Sequence, residues 1–317
     1  MATASERISL LMMGPLQPTL IERIEEDYDV HRYWEMADAD TWITEHGARI
    51  EGIVTSGSFG ATEALINRLP ELKAIISFGV GYDSIDVAAA HARGVVVTNT
   101  PGVLDECVAD TAFSILLALG RRICEADRFV RAGKWPTDRF PLSHSLAGKT
   151  CGIVGLGNIG RSIARRAEAF GMNIAYHNRR PREGVPYTYH ETLIGLLEAA
   201  DYAVVVVPGG SETNHLIGQT ELDALGPKGY LVNIARGSVV DEAALVKALQ
   251  EGAIAGAALD VFADEPNVPS ALLELDNVVL TPHIGSGTHE TRQAMADLVY
   301  DNLQGFFRHG VPVTPVR

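Results

Sequence analysis

"TCGIVGLGNIGRSIARRAEAFG", Thr150 to Gly171, is the stretch on which the fold turns. The apolar run up to Val154 reads as a strand, and the amphipathic segment after Gly160 reads as a helix. Between them lies Gly155-Leu156-Gly157-Asn158-Ile159-Gly160, a G-x-G-x-x-G turn in the strand-to-helix setting that gives the motif meaning. Gly155 permits the tight turn, Gly157 lets the backbone approach a pyrophosphate, and Gly160 allows close packing of helix on strand. The free N–H groups and positive dipole end of the helix would meet the phosphates. The stretch predicts a βαβ unit that holds a dinucleotide.

Downstream, "NIAYH", "YAVVVVP", "GYLVNIA", "AIAGAALDV" and "NVVLTP" continue as strands separated by helical stretches. Upstream, "ISLLMM", "YDVHRYW", "IEGIVTS", "LKAIISF" and "VVVTN" read as five more strands, with helices such as "TEALINRLP" and "SIDVAAAHARG" between them. A long helical pattern from about Val103 to Ala132 joins the two series, its apolar stripe made by Val108, Ala112, Ile115, Leu116 and Leu119. The expected fold class is α/β with two doubly wound parallel sheets. A flavodoxin-like substrate domain, residues 1–100 plus 287–317, is interrupted by a Rossmann dinucleotide domain, residues 101–286. The last helix, roughly Glu290 to Arg308, follows a completed second sheet and is expected to pack back on the first domain. A cleft between the domains is the expected seat of a substrate.

Composition narrows the partners. A formal charge of −14 argues against nucleic acid and anionic membranes, which need clustered Lys and Arg. Cys107, Cys124 and Cys151 are odd in number and contain no CxxC, as expected of a reduced interior. "MATASERISLLMMG" lacks the basic flank and long apolar core of a leader, and no apolar run reaches the length of a membrane span. A cytoplasmic location is expected, and no metal site is indicated.

"AYHNRRPR", Ala175 to Arg182, places positive charge in this acidic chain about twenty residues after the glycine turn. An NAD site would carry an Asp or Glu there to accept from the adenosine ribose 2′-hydroxyl. Asn178, Arg179 and Arg180 stand there instead. A carboxylate repels a 2′-phosphate, whereas a guanidinium clamps it with paired, charge-assisted hydrogen bonds. The expected cofactor is NADPH/NADP. Val207, Pro208, Thr213, Ile234, Ala235 and Gly285, in loops at or beyond later strand ends, are assigned to the same cofactor site.

Three residues stand at or just after strand ends. "LVNIARGSVVDEAAL" places Arg236 before a helix starting near Asp241, "GAALDVFADEP" places Glu265 in a loop, and "VVLTPHIGSGT" places His283 near the return crossing. Reduction of a 2-oxo acid builds negative charge on the carbonyl oxygen, which a protonated His neutralises by giving up its proton. A carboxylate beside an imidazole orients the ring and favours its protonated form. An Arg can hold the substrate carboxylate and polarise the carbonyl. The other histidines, His177 among them, read as structural or exposed.

"FGVGYDSIDV", "NTPGVLDECVAD", "GLGNIG", "NIARGSVVDE", "ALDVFADEP" and "TPHIGSGT" resemble, in order and spacing, the motifs of the D-2-hydroxyacid dehydrogenase family, over nearly the whole chain. The resemblance implies Arg236, Glu265 and His283 as the catalytic set. It also implies that Val80 and Gly81 offer N–H groups to the substrate carboxylate, that Asp260 contacts the nicotinamide end, and that Ser286 lies near the substrate. "TSGSFGA", which contains Ser56 and Gly57, should line the substrate site, where Phe59 or Tyr82 could favour bulkier side chains. Asn178 departs from the Asp of many NADH-using members.

Within the family, "RRICEADRFVRAGKW", "YHNRRPR" and "THETRQAMADLVYDNL" look most like glyoxylate/hydroxypyruvate and hydroxyphenylpyruvate reductases. Members like these are generally dimers, and Trp135 matches a position where a partner subunit can close the substrate pocket. The expected activity is NADPH-dependent reduction of glyoxylate and hydroxypyruvate to D-2-hydroxy acids. Hydroxyphenylpyruvate or 2-ketogluconate reduction is the alternative. A non-catalytic, dinucleotide-sensing binding protein is a remote one, since relatives of that kind carry terminal extensions.

Overall fold

The computed structural model describes residues 7–316. Residues 1–6, the start of the stretch read for a leader, lie outside the described residues. The chain divides into two compact units, one running to Leu104 and resuming at Thr288, the other Asp105–Gly287.

In the first unit the order is β1 (Ser9–Met12), α1 (Pro18–Asp27), β2 (Asp29–Arg32), α2 (Ala39–His46), β3 (Gly52–Ser56), α3 (Glu63–Asn67), β4 (Ala74–Phe78), α4 (Val87–Ala92) and β5 (Val96–Thr98). All pairings are parallel, in the order β2-β1-β3-β4-β5. That is the flavodoxin-like 2-1-3-4-5 winding. Strands β1 and β4 are buried along their whole length, as a sheet covered on both faces requires. The stretch read as "YDVHRYW" is extended only over Asp29–Arg32, and Tyr33–Glu35 turns as a 3₁₀ helix.

The second unit opens with α5 (Asp105–Gly120) and α6 (Ile123–Arg131). A single helix from about Val103 to Ala132 is thus corrected to two. A Cβ on Gly120 would lie 2.6 Å from the Tyr202 hydroxyl, so the backbone itself packs there, and Arg122 takes a left-handed φ of 54°. Its guanidinium then pairs with Glu125 and anchors the new first turn. Periodicity runs through the break, which is why the sequence pattern does not show it. There follow β6 (Thr150–Val154), α7 (Asn158–Ala169), β7 (Asn173–His177), β8 (Thr188–Tyr189), α8 (Leu193–Ala199), β9 (Tyr202–Val205), α9 (Gln219–Leu225), β10 (Tyr230–Asn233), α10 (Glu242–Gln250), β11 (Gly256–Leu259), α11 (Ser270–Leu273) and β12 (Val278–Leu280). The parallel order is β12-β11-β10-β9-β6-β7-β8, a Rossmann winding whose direction reverses between β6 and β9. The two-residue edge strand β8 was not anticipated.

Helix α12 (His289–His309), capped by Thr288, belongs to the first unit. A Cβ on Gly52 of β3 would meet Leu10 at 2.6 Å and the Phe307 ring at 2.9 Å, so this helix lies hard against the sheet. Fully buried Asn302 accepts from the N–H groups of Val313 and Thr314 and donates to the Thr314 hydroxyl. That clamp lets the tail pair with β5, Val316 donating to Val97 at 2.8 Å. Among the described residues no helix is long and apolar enough to cross a membrane, and no cluster of metal-ligating side chains occurs.

Candidate active site

The glycine turn has the form a pyrophosphate needs. Gly155 adopts φ +104°, open to glycine and strained for other residues, and a Cβ there would also press on Val206 at 2.9 Å. A Cβ on Gly160 would lie 2.4 Å from the Gly155 carbonyl oxygen, so only glycine lets α7 approach its strand. Gly157 has open space where a side chain would stand, and it caps α7 without any side-chain hydrogen bond. The residues present therefore fit a dinucleotide: the helix's leading N–H groups face a space kept clear by Gly157. Asn158 accepts from Arg161 at 2.9 Å, Leu156 is buried and Ile159 half-buried.

The region after β7 departs in detail from a simple arginine clamp. Asn178 Oδ1 accepts from the Leu156 N–H at 2.7 Å, so Asn178 shapes the glycine turn. Arg182 Nε donates to the Leu156 carbonyl at 3.1 Å, and its own N–H donates to the buried Tyr176 hydroxyl at 2.9 Å. Both polar groups of the Leu156 backbone are thus gripped from the segment after β7, a role for Arg182 that sequence reasoning missed. Arg179 is exposed and donates to Glu212 at 2.9 Å. Arg180 is exposed as well. His177 bonds the His190 carbonyl at 2.9 Å, a structural tie.

Beyond β9, Val207 and Pro208 lead into a turn closed by Thr213, whose hydroxyl donates to the Pro208 carbonyl at 2.7 Å. At the end of β10, buried Asn233 accepts from the Ala235 N–H at 3.1 Å and donates to the Arg236 carbonyl at 3.0 Å. It fixes the turn through Ile234 and Ala235 that carries Arg236. Gly237 follows, and a Cβ there would lie 1.9 Å from the Phe262 backbone. The loops bearing Arg236 and Glu265 touch because that residue has no side chain.

Glu265 and His283 meet. Glu265 Oε1 accepts from the Phe262 N–H at 3.1 Å, and Oε2 lies 2.7 Å from His283 Nδ1. A carboxylate only accepts, so Nδ1 carries the proton and Nε2 is the ring atom left for other chemistry. The histidine has φ +51°, uncommon for a residue with a side chain. Buried Asp260 accounts for that shape. Its Oδ1 accepts from Thr281 Oγ1 and the Ile284 N–H, at 2.7 and 2.8 Å, its Oδ2 from the Gly285 N–H at 2.8 Å. The His283 N–H donates to the Asp260 carbonyl at 2.9 Å. Asp260 thus holds the Thr281 side chain before the imidazole and the Ile284 and Gly285 backbone after it, and Ser286, half-buried, follows the strap.

Within the first unit, Asn99 donates to the Val80 carbonyl and Gly79 to the Thr100 hydroxyl. These bonds pin the Val80–Gly81 turn, whose own N–H groups take no part in hydrogen bonds among the described residues. Ser56 and Gly57 are half-buried at the end of β3, where the Ser56 hydroxyl accepts from the Ser58 N–H. Trp135, beyond α6, is 70 % exposed.

A Rossmann sheet, a clear phosphate turn and a carboxylate-bound histidine at a strand end define a dinucleotide-binding oxidoreductase. The chain belongs to the D-isomer specific 2-hydroxyacid dehydrogenase family, whose NAD-binding domain matches residues 113–285. It is 47 % identical to glyoxylate/hydroxypyruvate reductase A of Arabidopsis thaliana, the match covering 98 % of this chain and 99 % of that protein. It is 45 % identical to hydroxyphenylpyruvate reductase of Plectranthus scutellarioides over the same shares of the two chains. The NADPH-dependent glyoxylate/hydroxypyruvate reductase of Sinorhizobium meliloti, solved with NADP and malonate, superimposes with a TM-score of 0.92 at 50 % identity, covering 98 % of this chain and 97 % of that one.

Proposed function

We propose that the protein reduces small 2-oxo acids, glyoxylate and hydroxypyruvate, to D-2-hydroxy acids with NADPH. The observation that carries this reading is the His283–Glu265 pair, 2.7 Å apart and strapped by Asp260 in the unit that bears the phosphate turn. A bound reduced nicotinamide supplies the hydride for the keto carbon. His283 Nε2 gives a proton to the carbonyl oxygen as charge builds there, and Glu265 steadies the imidazolium form until the proton leaves. Arg236 holds the substrate carboxylate, and the N–H groups of Val80 and Gly81 donate to it. Malonate, the dicarboxylate found with the Sinorhizobium relative, agrees with a site built for such acids.

Phosphate-bearing cofactor is favoured by Asn178 and Arg179 where a ribose-binding carboxylate would stand. The exposed apolar side chains Ile123, Val130 and Trp135, on and after α6, support a homodimer. Three free cysteines support a reducing, cytoplasmic setting. Exposed rings of Phe59 and Tyr82 favour a second reading, in which bulkier acids such as hydroxyphenylpyruvate are also reduced.

Initial rates of cofactor oxidation, with hydroxypyruvate, glyoxylate and hydroxyphenylpyruvate and each of NADPH and NADH, test the assignment. Fast NADPH oxidation with the two small acids is expected. Turnover confined to the aromatic acid would replace the substrate assignment, and equal use of the two cofactors would remove the NADPH preference.

A further inference from the structure

Strand β6 lies between β9 and β7, and all three are parallel, so the loops leaving β9 and β7 flank the glycine turn. Arg179, after β7, and Glu212, after β9, reach across the carboxyl end of β6 and pair at 2.9 Å. Two strand spacings, about 10 Å, separate their loops. Neither side chain is needed to close the core, since they are 90 % and 80 % exposed. Their loops are nonetheless held. The Glu212 turn is closed by Thr213, whose N–H donates to the Gly210 carbonyl at 3.1 Å and whose hydroxyl donates to Pro208. The Arg179 loop is tied to Leu156 through Asn178.

We propose that Glu212 is a specificity-determining residue, a resident counter-ion that an incoming ribose 2′-phosphate must displace from Arg179. The inference rests on the reading of Arg179 as the phosphate-binding residue. A phosphate monoester, with about −1.5 to −2 charge and three acceptor oxygens, outcompetes a single carboxylate for the guanidinium. The 2′-hydroxyl of NADH carries no charge and leaves the pair in place. Glu212 therefore weakens NADPH binding selectively, by occupying Arg179. Exposed ion pairs are weak, so removing the carboxylate should tighten NADPH by about 1.5- to fivefold.

The experiment is fluorescence titration of NADPH and NADH, at low ionic strength, into wild type, Glu212→Gln, Arg179→Ala and the double variant. The expected result is tighter NADPH binding in Glu212→Gln, unchanged NADH binding, and loss of that gain when Arg179 is also Ala. Unchanged or weaker NADPH binding in Glu212→Gln, beside clear weakening in Arg179→Ala, overturns the role of Glu212 and leaves Arg179 standing. Equal tightening of both cofactors overturns it too, because the pair would then be a plain obstacle. If Arg179→Ala leaves NADPH affinity unchanged, the reading of Arg179 itself fails and takes the inference with it.

Discussion

Two glutamates of the Rossmann unit each hold a basic side chain, and they do so in opposite ways. Glu265 is anchored by the Phe262 N–H and faces a histidine whose neighbours Asp260 holds on both sides, the Thr281 hydroxyl before it and the Ile284 and Gly285 N–H groups after it. Glu212 meets Arg179 in the open, with both side chains at least 80 % exposed. A network tied to backbone fixes geometry before any ligand arrives, as proton transfer to a defined oxygen demands. An exposed pair is cheap to exchange, as a site that admits a bulky, charged cofactor demands. The same interaction, a carboxylate on a cation, thus serves positioning in one place and exchange in the other.

Breaking the fixed pair should have the largest effect. His283→Ala removes the proposed proton donor, and kcat with hydroxypyruvate should fall by about 10²- to 10⁴-fold, with cofactor affinity retained. Glu265→Gln should lower kcat less and alter its pH profile, which a merely structural carboxylate would not do. Retention of wild-type kcat in His283→Ala would dissolve the contrast at its root. On the exchangeable side, Arg179→Ala should weaken NADPH by about ten- to a hundredfold, since a charge-assisted hydrogen bond is worth about 1.5–3 kcal/mol. NADH should bind as before. Equal losses for both cofactors would mean that Arg179 supports the loop and selects nothing.

Gly237→Ala sharpens the contrast from the backbone. Its Cβ would fall 1.9 Å from the Phe262 backbone, which cannot rotate away as a side chain can. Overpacking costs about 1–3 kcal/mol, so a lower melting temperature and lower kcat should appear together. The corresponding Gly157→Ala meets nothing within 4 Å and should leave stability near wild type while weakening cofactor binding. If both variants lose stability alike, the glycine turn is as tightly fixed as the loops that carry Arg236 and Glu265.

Much of this was legible in the sequence, because the determinants are local. Alternating apolar runs gave the strand series on both sides, and the spacing of Gly155, Gly157 and Gly160 already specified the turn. Strand ends likewise placed Arg236, Glu265 and His283. The partners that give those residues their geometry were not legible. Arg182 and Glu212 act through contacts with residues 26 and 33 positions away, fixed only once the strands are ordered. Asn233 carried a faint signal, a polar residue closing a buried strand just before the Arg236 turn. The break at Gly120 and Arg122 was hidden because the apolar repeat continues through it. Asp260, expected beside a nicotinamide, is visible in the structure first as a strap for His283.

The smallest expected effect concerns a carboxylate that lacks the support Asp260 enjoys. Asp105 opens α5, is half-buried, and has Asn158 of the phosphate turn as a hydrogen-bond partner. Burial raises its carboxyl above the ordinary value of 3.8, and neighbouring Glu106 adds to the rise against the opposing Asn158 and Arg161. An acid with a raised folded-state value binds its proton more tightly when folded. Stability therefore falls as pH rises from 3.8 through the raised value, and the loss persists at neutral pH. Asp105→Asn should accordingly melt higher than wild type near pH 7, by less than about 1 kcal/mol, because the lost charge also favoured the start of α5. The gain should shrink as pH falls below 3.8 and vanish at about pH 2.5, where the wild-type carboxyl is protonated in both states. Melting curves of the two proteins between pH 2.5 and 8 decide it. A difference constant with pH would mean that Asn158 and the helix end support the charged form as fully as three donors support Asp260.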